Sequence, residues 1–135
     1  MAHQSPVKVR FYELDPYNHV NHSAYVQYFE VGRIEMLESI GFGMESLQDV
    51  GRRIVVVAIQ TRFVRSAGPG DQLTVETEIS SIRRATVEWR QRIVRGDEEI
   101  ATQVLEAAMT DGNGRPTRWL PELLDALAPH VAVRS

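Results

Sequence analysis

The hydrophobic period of this chain changes twice, and that pattern limits what it can fold into. Residues 7–14 alternate apolar Val7, Val9 and Phe11 with Lys8, Arg10 and Tyr12, the period of two of a half-buried strand. Asp15-Pro16 ends that run, because proline has no donor and restricts the residue before it. From 22 to 40 the period becomes helical. Tyr25, Val26, Phe29, Gly32, Met36, Leu37 and Ile40 fall on one stripe at 100° per residue. Asn21 or Ser23 is placed to cap the start of this helix, and Gly41 to end it. Gly32 lies on the apolar stripe, which predicts a close backbone approach to whatever the helix covers.

Period two then returns. Strands are expected over 53–65, 73–80, 87–94 and 100–110, with a helical turn at 44–50 and a terminal helix at 121–127. The apolar start of 53–65 predicts a strand covered on both faces. Ala67-Gly-Pro-Gly-Asp71, Gly96-Asp-Glu-Glu99 and Asp111-Gly-Asn-Gly-Arg-Pro116 are turn signals. A strand, one long helix and four closely connected strands make an α+β domain, with the helix against one face of an antiparallel sheet. At 135 residues, without repeats or linkers, residues 1–135 form a single domain.

The longest apolar run, 54–59, is far short of the roughly 20 residues of a membrane helix. No basic-then-apolar leader opens the chain, so a cytoplasmic setting is expected. The absence of Cys excludes disulfides, thiolate nucleophiles and thiolate metal sites. A net charge of −3 conceals an asymmetry. Residues 52–95 carry nine Arg against four acids, whereas the segments on either side each hold three basic and seven acidic residues. Such a basic middle on an acidic chain fits a local anion site, not a nucleic-acid stripe. Arg90 and Arg92 fall on the wet face of their strand and read as solvated.

The segment 12–25 concentrates the chemistry. Asp15, His19, His22, Asn18, Asn21, Tyr17 and Tyr25 lie between the first strand and the start of the long helix. A helix N-terminus offers unpaired backbone N–H groups and a positive dipole end. A carboxylate beside such donors can act on a carbonyl whose oxygen they hold. The plainer alternative is that Asp15 opens an Asp-Pro turn and its neighbours cap the helix. His19 and His22 have a spacing that can bind a metal, but no third ligand is evident, so none is expected. Glu30 and Arg33, one turn apart, predict a structural ion pair.

The run Asp-Pro-Tyr-Asn-His-Val-Asn-His-Ser-Ala-Tyr-Val-Gln-Tyr-Phe-Glu-Val-Gly-Arg over 15–33 resembles the signature of the 4-hydroxybenzoyl-CoA thioesterase family. Phe-Val-Arg-Ser-Ala-Gly-Pro-Gly-Asp over 63–71 and Asp-Gly-Asn-Gly-Arg-Pro-Thr-Arg-Trp-Leu-Pro over 111–121 extend the resemblance. It implies a hotdog fold, a curved antiparallel sheet of about five strands around one long central helix, assembled as a homodimer or homotetramer. The implied activity is hydrolysis of an acyl-CoA or acyl-carrier-protein thioester, with coenzyme A as part of the substrate and no other cofactor. Asp15 would serve as nucleophile or general base, and the backbone N–H at His22 would polarise the thioester carbonyl. Tyr17, His19, Asn21 and Tyr25 would orient Asp15 or line the acyl pocket. Arg83 and Arg84, and secondarily Arg65, would meet the CoA phosphates, commonly from a neighbouring subunit. The bulky Tyr17-Asn18 pair departs from relatives with small residues there, so acyl preference does not carry over. Alternatives within the same fold are an enoyl-thioester hydratase or dehydratase and a non-catalytic acyl-CoA sensor.

Overall fold

The computed structural model describes residues 2–132. The chain forms β1 (His3–Lys8), a 3-10 turn (Phe11–Glu13), α1 (His22–Ser39), α2 (Met44–Asp49) and β2 (Arg52–Phe63). Then come β3 (Gln72–Ile82), β4 (Thr86–Arg95), β5 (Glu98–Asp111), α3 (Pro121–Leu127) and a 3-10 turn at Ala128–His130. The five strands make one sheet in the order β1-β3-β4-β5-β2, with every neighbouring pair antiparallel. This is the expected α+β arrangement. Among the described residues, no helix is long and apolar enough to cross a membrane.

The first strand departs from expectation. It spans His3–Lys8, and residues expected to continue it form a 3-10 turn instead. Its partner β3 begins at Gln72, opposite Lys8, so the ladder has nothing further to pair with. Pro6 is tolerated because β1 is an edge strand. Phe11 and Tyr12, alternating in sequence, stand exposed.

Helix α1 covers the inner face over β1, β3 and β4. It buries Tyr25, Phe29, Met36 and Leu37 as expected, together with Ala24, Tyr28 and Arg33. Asn21 is the N-cap, its side chain accepting from Ser23 N, and Gly41 takes the left-handed conformation (φ 85°) just beyond the C-terminus. A Cβ built on Gly32 would stand 2.7 Å from Val75 Cγ1 and 2.9 Å from Thr77 Oγ1. Only glycine lets the helix backbone sit this close to the sheet.

Two expectations fail in physically related ways. Glu30 and Arg33 form no ion pair. Arg33 turns inward, and its Nη1 donates to Gln91 Oε1 at 2.9 Å and Gln103 Oε1 at 2.8 Å. Those glutamines are fixed by their own amide donors, Gln91 Nε2 to Phe29 O and Thr77 Oγ1, and Gln103 Nε2 to Thr61 Oγ1. Acceptors already desolvated on β4 and β5 outcompete a helix-surface carboxylate that would remain wet. Strand β2 is not covered on both faces within one chain: Val55, Val56, Val57 and Ile59 are exposed. As an edge strand it has a ladder partner only in β5 among the described residues, and α1 lies mainly over β1, β3 and β4.

Candidate active site

The loop between Leu14 and Val20 is built around one carboxylate. Leu14 and Val20 form an isolated antiparallel bridge, and Asp15 N donates to His19 O at 2.7 Å. Asn18 donates to Asp15 O and adopts φ 64°, a conformation asparagine tolerates better than most residues. Inside this closed turn, Asp15 Oδ1 accepts from Tyr17 N at 2.8 Å and His19 N at 3.1 Å. Asp15 therefore does make the turn of the plainer reading. Its Oδ2 has no partner among the described residues, so the two readings are compatible.

The loop is pinned to its surroundings from two sides. Val20 N donates to Ala67 O at 2.9 Å, and Asn21 N to Glu13 O at 2.8 Å. Glu13 Oε1 accepts Arg10 N and the Tyr28 hydroxyl, each at 2.7 Å. Burial first, then this bond to a carboxylate, raises the Tyr28 pKa above its ordinary value. The buried Tyr25 accepts the Ala67 N–H on its hydroxyl at 3.0 Å, which leaves its own proton available. Its pKa is raised, mainly by burial, and Asp15 is close enough to add to the effect.

At the start of α1 the donors divide unequally. Ser23 N is taken by Asn21 Oδ1, and Ala24 N and Tyr25 N by Asn21 O. The N–H of His22, first residue of the helix, has no partner among the described residues. It sits at the positive end of an 18-residue helix dipole. The His22 ring packs on Phe63 with centroids 4.7 Å apart, and Tyr25 meets Phe63 at 5.5 Å. An apolar wall from the end of β2 thus stands beside a free backbone donor and the Asp15 loop.

Of the residues expected from sequence, Asp15, His19, Asn21, His22 and Tyr25 come together here. Tyr17 belongs to the same loop but is 81% exposed. Arg65 lies near the Ala67 segment, donating to Glu99 O at 3.0 Å and standing 3.9 Å from Glu98. Arg83 and Arg84 sit exposed in the β3–β4 hairpin. Eleven strand residues separate it from the Asp15 end of the sheet, about 35 Å. One chain therefore does not bring them to the site. Sequence reasoning missed Glu13, Tyr28 and Phe63, whose roles depend on contacts between distant segments; only the Tyr25-to-Tyr28 spacing of three hinted at Tyr28.

Comparison with known proteins bears on this arrangement. Residues 9–127 match the family model of the thioesterase-like superfamily. The chain belongs to that superfamily. It is 30% identical over 118 residues to the acyl-acyl carrier protein thioesterase ATL2 of Arabidopsis thaliana, covering 86% of this chain and 63% of that protein. It thus spans less than two thirds of that relative's length. The acyl-CoA thioesterase YbgC of Haemophilus influenzae is 28% identical over 120 residues, covering 87% of this chain and 88% of that one. Among solved structures, a probable thioesterase from Bartonella henselae superposes with a TM-score of 0.85 at 29% identity, covering 89% of this chain and all of that one. The family resemblance and the hotdog fold expected from the sequence are borne out.

Proposed function

We propose that this protein hydrolyses an acyl thioester of coenzyme A or acyl-carrier protein, with Asp15 supplying the reactive carboxylate. The observation that carries the reading is the pairing of one carboxylate, anchored through Oδ1, with the unpartnered His22 N–H at the start of α1. Both relatives named above, one acting on acyl-carrier-protein and one on CoA thioesters by name, support the substrate class.

The chemistry requires little else. The thioester oxygen accepts the His22 N–H, where the helix end stabilises developing negative charge. Asp15 Oδ2 then either attacks the carbonyl carbon or takes a proton from an attacking water. In the first route the C–S bond breaks to release the thiolate, and water cleaves the resulting mixed anhydride. In the second, water's oxygen bonds to carbon and its proton passes to Oδ2 before the thiolate leaves. A thiolate is a good leaving group in either case. Tyr25, its hydroxyl proton available, orients the Asp15 carboxylate, and Tyr17 and His19 border the entrance.

The same reading includes a homodimer. Its members join through the unpaired edge of β2, where Val55, Val57 and their neighbours lack cover. A second copy also supplies Arg83 and Arg84 to the CoA phosphates, since the chain's own pair lies too far away. A cytoplasmic setting belongs to this reading as well.

The direct test is release of free thiol from a panel of acyl-CoAs, followed with a thiol reagent, for the wild type and Asp15→Asn. We expect Asp15→Asn to lower kcat by at least 100-fold with an unchanged circular dichroism spectrum. Acyl-CoA binding without thiol release from the wild type would favour the sensor. Loss of enoyl absorbance without thiol release would favour the hydratase.

A further inference from the structure

Between α1, α2 and the inner face of β5 and β2 lies a cavity of about 460 Å³. Ile34, Leu37, Leu47, Ile54, Leu105 and Ala107 form much of its wall, and the Trp89 indole contributes another part. Its charged lining residues are Glu30, Arg33, Arg52 and Arg53. Arg33 lines the cavity although only 9% of its surface is exposed.

The state of that guanidinium is unusual. Nη1 is held by two neutral acceptors, Gln91 Oε1 and Gln103 Oε1, and no carboxylate lies within ion-pair distance among the described residues. Glu30 lines the same cavity but acts on Arg33 only at longer range. The Nε and Nη2 groups have no protein partner among the described residues. Neither is sealed: among the described residues, the sealed side-chain atoms without a hydrogen-bond partner are Arg52 Nε, Ser81 Oγ, Trp89 Nε1 and Thr117 Oγ1. The Arg33 Nε and Nη2 groups are therefore accessible, and the cavity is the space Arg33 lines. A buried cation without a counter-ion is rarely tolerated unless something completes it.

The position of the cavity suggests what does. His22, Val26, Glu30 and Arg33 follow one another at helical spacings of three and four, so they lie along one side of α1. Eleven residues at 1.5 Å place Arg33 about 16 Å from the His22 N–H. Strand β2 runs alongside, from Phe63 at the His22 end to Ile54 in the cavity wall. The His22 N–H and the cavity therefore lie at two points along the same side of α1.

We propose that this cavity receives the far part of the acyl group, and that Arg33 selects tails bearing a hydrogen-bond acceptor such as a hydroxyl, oxo or carboxylate group. The apolar walls bind the hydrocarbon, and the free guanidinium N–H groups bind the acceptor. This rests on the thioester reading above for its substrate, but the binding site can be tested without turnover.

Trp89 serves as the reporter, made the only tryptophan by Trp119→Phe. Decanoate and methyl decanoate share the decanoyl chain, and only the first is an anion; because Arg52 and Arg53 also line the cavity, Arg33→Met is the variant that assigns the preference to Arg33. Titration is expected to change Trp89 fluorescence saturably, with at least tenfold tighter binding of decanoate. Arg33→Met should abolish that preference while leaving weak apolar binding. Ala107→Phe, which fills the cavity from β5, should abolish both and provides a readout should Arg33→Met fail to fold. Equal affinity for the two probes, or undiminished binding in Ala107→Phe, overturns the proposal. Decanoate binding of this kind in a protein that releases no thiol from any acyl-CoA would refute the hydrolase reading and leave the cavity assignment standing. Thiol release with no fluorescence response would do the reverse.

Discussion

Asn21, which caps α1, donates its N–H to the carbonyl of Glu13, while the Glu13 carboxylate holds Arg10 N and the Tyr28 hydroxyl. One side chain thus connects the 3-10 turn, the helix start and a buried position two turns into the helix. The Tyr28 hydroxyl is the only part of this clasp that can be removed without touching the backbone. Its bond to an ionised acceptor is of the stronger kind, but Glu13 is partly exposed and water can replace the lost donor, so the net loss is about 1 kcal/mol. Tyr28→Phe should therefore lower Tm by about 4 °C. It should also reduce kcat more than it raises KM, because the Asp15 loop and the His22 donor would no longer be held in one register. A variant with unchanged Tm and kcat would show that the clasp positions nothing. The sequence marked Asp15 and His22 because polar groups at a helix start are a local signal. Glu13 and Tyr28 are fifteen residues apart, and no local pattern links them.

Where helix and sheet meet, the backbone of α1 approaches β3 without room for a methyl group. Alanine at position 32 would gain helix propensity of about 1 kcal/mol. Its Cβ would, however, press on Val75, Thr77 and Gln91, and the last two belong to the hydrogen-bonded set that holds Arg33. Overpacking of this kind costs about 1–3 kcal/mol, so Gly32→Ala should lower the urea midpoint despite the gain in propensity. A raised midpoint would mean that the layers can separate freely. The 66–71 turn depends on charge instead. Asp71 Oδ2 accepts Gly68 N at 2.9 Å and Arg95 Nη1 at 2.8 Å. The Gly68 N–H chiefly, and Arg95 after it, hold its pKa below the usual carboxylate value. A pKa lower in the folded state than in the unfolded chain stabilises the fold above the unfolded value, and that contribution fades as pH falls through the folded one. Urea midpoints of wild type and Asp71→Asn should accordingly differ at pH 7 and converge toward pH 3; a constant gap would contradict the assignment. Because Ala67 in this turn holds both Val20 and Tyr25, the loss should carry through to the site. The helix, its cap and the turns could be read from the sequence because periodicity and glycine placement are short-range. The ends of β1 could not, since they depend on where β3 begins.

The assembled molecule leaves one side of its sheet unfinished. Strand β2 is twelve residues long, is paired on one edge only and exposes Val55, Val56, Val57 and Ile59. Long, flat, apolar edges of this sort invite aggregation unless another chain or element covers them. The sequence showed the apolar run correctly, but its expectation of cover on both faces fails in the single chain. Edge-to-edge pairing of two β2 strands would satisfy the free backbone groups and extend the sheet across both copies. It would also present the Phe63 end of one strand to the Arg52 end of the other, near the cavity that Ile54 lines. A stable interface buries about 800 Å² per partner, and replacing an apolar residue at its centre with a charge should divide it. Val57→Lys should therefore elute at half the wild-type mass by light scattering. Its thiol-release activity should fall with dimer content, while circular dichroism still reports a folded chain. Wild-type protein that elutes as a monomer at full specific activity would show that one chain is a complete catalyst and that Arg83 and Arg84 have no part in binding its substrate.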